Sequence, residues 1–193
     1  EFMKQFGEEV LGKGVVMAKD TPNFIANRIG TYGLLVTIDE MQKGNYSIGE
    51  VDSVTGPLIG RPKSATFRTL DVVGIDTFLH VADTVCQTAE GKEKQVFAPP
   101  PVMQEMVKQG LLGTKSGKGF YVKQGKEIME LNLQTMQYEP RRKLKTASIE
   151  QSKLEKGWRN KLQTLLYAED RAGQFLWNIL TPVLIYAAEK LEE

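Results

Sequence analysis

Cysteine and histidine are almost missing from this sequence: Cys86 and His80 stand alone among 193 residues. One thiol excludes an internal disulfide framework, and one thiol with one imidazole leaves no ligand set for a zinc cluster. A lone thiol suits a reducing interior, so a cytoplasmic setting is expected. No apolar run approaches about 18 residues, which leaves no membrane span to expect, and no charged stretch leads into an apolar core as in a signal peptide. An excess of one charge is also missing. Lys+Arg 25 against Asp+Glu 24 gives a net charge of +1, without the basic surplus that nucleic-acid binding needs. The Gly-x-Gly-x-x-Gly fingerprint does not occur, so no cofactor-binding residues are expected in this chain.

What remains is helical punctuation. Met3 to Leu11 suits a short helix, and Val15 to Ala18 reads as a buried strand with no sequence neighbour to pair with. Thr21 as a cap with Pro22 at the first helical position predicts a long helix, whose apolar stripe runs from Phe24 to Met41 and stops at Gly44-Asn45. Ser47 and Glu50 have capping-box spacing. Two glycines and two prolines make 56–62 a loop, Ser64 is placed to cap a helix ending at Gly74, and Asp76 to Ala89 continues as another. Residues 91–98 read as loop, Val102 to Gln109 as helix, and Phe120 to Leu131 as a small hairpin turning at Gln124-Gly125. After the basic linker Arg141 to Lys145, Ser148 and Gln151 predict one helix to Tyr167, and a last helix from Ala172 to Leu191 is expected to be interrupted and kinked at Pro182, which removes a backbone donor. Phe175, Asn178 and Leu180 of that helix repeat the spacing of Phe24, Asn27 and Ile29, a weak hint of a second copy.

Few residues could carry chemistry. Asn27 lies one turn from both Phe24 and Thr31 on a largely apolar face, where an amide can either bridge two helices or hold a substrate oxygen and an imidazole in place. Gly30 and Gly33 weaken the same helix, which implies a close approach by a ligand or by another helix. His80 has Asp76 and Asp83 within one turn, but surface pairs of this kind are common. The loop Gly113 to Gly119, with Lys115 and Lys118, resembles a phosphate cradle only loosely. Its glycine spacing is short, and a strand follows where a helix should.

The stretch Lys19-Asp20-Thr21-Pro22-Asn23-Phe24-Ile25-Ala26-Asn27-Arg28 resembles the segment that joins the two domains of L-3-hydroxyacyl-CoA dehydrogenases of fatty-acid β-oxidation. Gly56-Pro57 with Gly60-Arg61-Pro62, Leu70 to Asp76, and Lys115 to Tyr121 follow in the family's order, so the likeness covers roughly residues 3–123. It departs at Asn23, where the family usually has glycine, and at Lys63-Ser64-Ala65, where a Met-Gly-Pro run is usual.

The resemblance implies a mainly α fold, the carboxyl-terminal helical domain of that family, preceded by the last helix and strand of a Rossmann domain. Residues 1–19 would be that remnant, 20–140 the helical domain with a terminal hairpin, and 141–193 a linker with the start of a second helical repeat, as in larger multidomain members. It implies NAD as cofactor of the parent enzyme, with none bound by this fragment. Acyl-CoA would be the substrate, the missing Rossmann domain and a second copy the partners, and the isolated chain inactive. The family's cleft asparagine maps onto Asn27 in a supporting catalytic and substrate-binding role, and Lys115 and Lys118 become candidate substrate contacts. The catalytic histidine–glutamate pair would lie outside the chain. Two other readings stay open: a non-catalytic dimerisation or docking module, and the helical domain of a β-hydroxyacid dehydrogenase.

Overall fold

A long helix organises the molecule because its apolar stripe is continuous. In the computed structural model, which describes residues 1–191, this helix is α2 (Ala26–Lys43), preceded by α1 (Phe2–Gln5) and a π-helical turn at Phe6–Val10. Thr31, Leu35, Ile38 and Met41 recur at helical spacing and are buried. Gly44 ends the helix, with Asn45 in the left-handed region at φ 49. The capping box then forms as the spacing predicts: Ser47 Oγ accepts from Glu50 N at 3.2 Å, and Ser47 N donates to the Glu50 carboxylate at 2.8 Å, opening α3 (Ile48–Val54).

α4 (Phe67–Val73), α5 (Ile75–Thr88), α6 (Gly91–Phe97) and α7 (Pro101–Lys108) follow, and α2 packs against α5 and α6. An antiparallel sheet comes next, in the order β1 (Tyr121–Gln124), β2 (Glu127–Asn132), β3 (Gln137–Pro140), with Tyr121 opposite Glu130 and Leu131 opposite Tyr138. The chain closes with α8 (Ala147–Leu154), α9 (Trp158–Leu166) and α10 (Arg171–Glu189), which lies along α2 and runs unbroken through Pro182. A mainly helical fold with a small terminal sheet is thus what the punctuation predicts.

Several local expectations give way to tertiary contacts. Residues 12–19 have no regular structure, and Val16 and Met17 are exposed rather than in a buried strand. A strand must hand its N–H and C=O groups to a neighbour, and no described residue offers one here. Thr21 and Pro22 do not start α2, which begins at Ala26 without a side-chain cap. Asn23 and Phe24 instead take φ 63 and φ 49, and the Asn23 amide donates to Val81 O of α5 at 2.8 Å. Asparagine and glycine both tolerate that left-handed backbone, which explains why Asn23 can stand at the glycine position.

A single 3-10 turn, Pro57–Ile59, interrupts the loop at 56–62. Residues 91–97 form α6 rather than a loop, because Phe97 is fully buried against α2 and the helix needs that contact more than local propensity. Ser64 does not cap α4; Asp52 does so from α3. The single helix expected over 148–167 is two, split where Gly157 turns the chain at φ 80. Thr146 rather than Ser148 caps α8. Ser148 instead donates through N and Oγ to Asp170, at 3.0 and 2.9 Å, and Asp170 also caps α10. A third strand, β3, completes the hairpin into a sheet.

Candidate functional site

Two constructions stand out, and each uses a segment that carries the family resemblance. The first is a latch on buried aspartates. Asp52 accepts from the backbone N–H groups of Thr66 at 3.0 Å, Phe67 at 2.8 Å and Arg68 at 3.2 Å, and from the Tyr121 hydroxyl at 2.9 Å. Asp71 accepts from Phe120 N and Tyr121 N at 2.8 and 2.9 Å. Gly113 and Gly119 are required there, since a Cβ on either would strike Asp71.

The loop between them is spent inward. Gly113 N donates to Lys118 O, Ser116 N to Gly113 O and Gly117 N to Thr114 O, so these amides are not left for an anion. Lys115 is paired with Asp76, whose carboxyl this contact holds below its ordinary value. Lys118 is exposed beside Arg68 and Lys123 on a depression of about 240 Å³. The loop therefore buttresses the sheet against α4, and of its two exposed lysines Lys115 is held in an ion pair while Lys118 lines the depression.

Burial pushes the Asp71 carboxyl up to about 6, against the pull of its two N–H donors. An unfolded aspartate titrates at about 3.9. Between those values the folded chain holds a proton that the unfolded chain has lost. This group's contribution to stability is therefore full below about pH 4 and lost as pH rises through about 6, by roughly 3 kcal/mol. Urea unfolding from about pH 4 to pH 7 should show this decline in the wild-type chain and not in Asp71→Asn. Parallel profiles for the two proteins would overturn the assignment.

The second construction is the first turn of α2. Asn27 is exposed, and among the described residues its amide has no hydrogen-bond partner, so the interhelical bridge does not form. Gly30, one turn on, faces open space, whereas a Cβ on Gly33 would come within 3.2 Å of Val183 in α10. The two glycines thus serve different ends: Gly33 admits a helix, and Gly30 leaves an open face beside Asn27. A cavity of about 280 Å³ lies on the Arg28 side of the same turn, bordered by the exposed Val16, Met17, Phe24 and Ile25, and neither Asn27 nor Gly30 lines it.

Behind this face sits a cluster that the sequence does not reveal. Arg28 donates to Glu93 of α6 at 2.9 Å and, through Nε, to the Tyr186 hydroxyl of α10 at 3.0 Å. Tyr186 donates in turn to Glu93, and Lys190 reaches the same carboxylate at 3.2 Å. Burial pushes the Glu93 carboxyl up, but the bonds from Tyr186, Arg28 and Lys190 outweigh it and leave the group below its ordinary value. The Tyr186 ring stacks on Tyr32 with centroids 3.9 Å apart. His80 is exposed and joins neither construction. Its neighbours Asp76 and Asp83 are engaged by Lys115 and Gln87, so no histidine–carboxylate pair forms. No group of three metal-ligating side chains occurs among the described residues.

A helical domain whose long second helix ends in an uncapped, open first turn, latched to a small sheet by buried aspartates, defines the class. The profile of the family "3-hydroxyacyl-CoA dehydrogenase, C-terminal domain" matches residues 24–123, and the chain belongs to that family. It is 61% identical over 193 residues to the "Probable 3-hydroxyacyl-CoA dehydrogenase" of Bacillus subtilis (strain 168), covering all of this chain and 24% of that protein. A protein of the same name from Deinococcus radiodurans is 46% identical over 119 residues, covering 62% of this chain and 34% of its own. The crystal structure of M. tuberculosis FadB2 superposes with a TM-score of 0.55 at 32% identity, covering 63% of this chain and 41% of that one. The chain therefore spans between 24% and 41% of the length of these relatives.

Proposed function

We propose that this chain is the substrate-side helical part of an NAD-dependent L-3-hydroxyacyl-CoA dehydrogenase, which oxidises the 3-hydroxyl to the ketone in fatty-acid β-oxidation. The observation that carries the reading is the open first turn of α2, where Asn27 stands exposed beside Gly30 within the family's matched segment. The reaction needs a hydride acceptor and a base for the hydroxyl proton. This chain's residues do not fit a dinucleotide: it has no glycine fingerprint, and the amides noted in its one glycine-rich loop are bonded internally. NAD and a basic histidine would belong to the nucleotide-binding domain.

What this chain supplies is position. The Asn27 amide would donate to the substrate's C3 oxygen and accept from the imidazole, holding both in reactive geometry as the ketone forms. Lys118 would meet a CoA phosphate, a role its exposure supports, and Lys115, paired with Asp76, would contribute less. A cytoplasmic location and a homo-oligomer complete the reading; exposed Trp177, Leu184 and Ile185 on α10 support the second.

The isolated 193-residue chain is expected neither to bind NADH nor to reduce NAD with 3-hydroxybutyryl-CoA, while the full-length enzyme does both. Titration calorimetry and absorbance at the NADH band measure the two. Binding of NADH by the isolated chain at roughly micromolar affinity would overturn the division of labour, since that implies about 8 kcal/mol of contacts from residues assigned none.

A further inference from the structure

The first turn of α2 lacks what usually fixes a helix start. Ile25 at its N-cap offers no side-chain acceptor, and the two residues before it take left-handed backbone angles. Asn23, bonded to Val81 O, anchors the chain before the helix. Within the helix, Arg28 is held by Glu93 of α6 and by Tyr186 of α10. Tyr186 meets α2 at two successive turns, accepting from Arg28 Nε at 3.0 Å and stacking face to face on Tyr32 at 3.9 Å and an interplanar angle of 4°. Residues 28 and 32 are spaced i, i+4 and share a face. Asn27, next to Arg28 in sequence, is turned by about 100° toward the open side.

We propose that Tyr186, which lies beyond the family-matched residues 24–123, is a positioning residue for Asn27, with Glu93 as its anchor. By holding Arg28 and Tyr32 it fixes the rotation of α2 about its axis and the order of its first turn, and so the direction of the Asn27 amide. Glu93 sets the Tyr186 hydroxyl by accepting its hydrogen bond and by pairing with Arg28. Helix α10 is thereby part of the active site's support and not an appendage to it. This inference rests on the reading of Asn27 given above.

Tyr186→Phe removes the hydroxyl and keeps the ring on Tyr32, and Glu93→Gln keeps the size and removes the charge. In the 193-residue chain, amide hydrogen exchange over residues 29–31, the first amides bonded within α2, is expected to quicken roughly tenfold in both variants, with the core of α5 unchanged. In the full-length enzyme, kcat is expected to fall roughly ten- to a hundredfold with KM nearly constant, as for a small misplacement of a reacting group. Tyr186→Phe added to Asn27→Ala should cost little more than Asn27→Ala alone. A tyrosine that only stabilised the fold would lower the melting temperature and leave kcat of the folded enzyme intact, which overturns the proposal. Unchanged exchange over residues 29–31 overturns it as well. Should Asn27→Ala itself prove inert, the reading of Asn27 falls and the catalytic role of Tyr186 with it. An active Asn27 with an inert Tyr186 defeats this inference alone.

Discussion

Replacing Asp52 with alanine is expected to lower the stability of the chain by about 3–5 kcal/mol, which for a domain of this size is a fall of roughly 6–20 °C in melting temperature. The carboxylate is 6% exposed and receives three backbone N–H groups and one phenol. Alanine leaves those four donors without an acceptor, three of them at the start of α4, where no helical carbonyl can serve them. Burial already holds the Asp52 carboxyl above its ordinary value, so the fold bears a cost to keep the group. That cost is set against four hydrogen bonds at once. Tyr121→Phe removes only one donor and should cost about 1 kcal/mol. Thermal and urea unfolding of both variants measure the difference, and a melting temperature within about 2 °C of wild type for Asp52→Ala would show that the latch holds little.

In the full-length enzyme, Asn27→Ala is expected to lower kcat/KM by roughly 10- to 1,000-fold, about 1.4–4 kcal/mol of transition-state stabilisation. The structure sharpens this expectation. Asn27 is exposed and bonds to no described residue, so its removal from the isolated chain should move stability by no more than about 0.5 kcal/mol. A structural asparagine would show the reverse pattern, a lower melting temperature with ordinary kinetics. Melting curves and steady-state rates on the same protein separate the two, and an unchanged kcat/KM removes Asn27 from the mechanism.

The positions that the sequence places well are those whose partners lie within one helical turn. The Ser47–Glu50 box, the Gly44 stop, the break at Gly74 and the turn at Gly125 all form where expected, because a cap or a left-handed residue acts on the nearest few peptides. Where the competing partner is distant, local signals lose. Thr21-Pro22 is a sound helix start, yet the Asn23 amide is taken by Val81 and the start moves to Ala26. Ser64 could cap α4, yet the carboxylate of Asp52 takes three N–H groups there. Residues 91–97 carry no helical signal beyond Val96 and Phe97, and the burial of Phe97 supplies what propensity does not.

The candidate site divides the same way. Asn27 is visible in the sequence because it sits in a run that resembles a known domain junction, and Lys118 because it lies in a recognisable loop. Glu93 and Tyr186 are not visible, since they lie 65 and 158 residues from the arginine they hold. By itself, then, the sequence determined the helical class and most helix ends, through stripes and caps whose physics is complete within about four residues, and pointed to the family through the resemblance of the Lys19 to Arg28 run. Only the tertiary structure decided that Asn27 is open, that Asp52 and Asp71 latch the sheet, and that α10 grips the first turn of α2. Each of these depends on which distant donor meets which acceptor once the core has closed, and no local pattern carries that information.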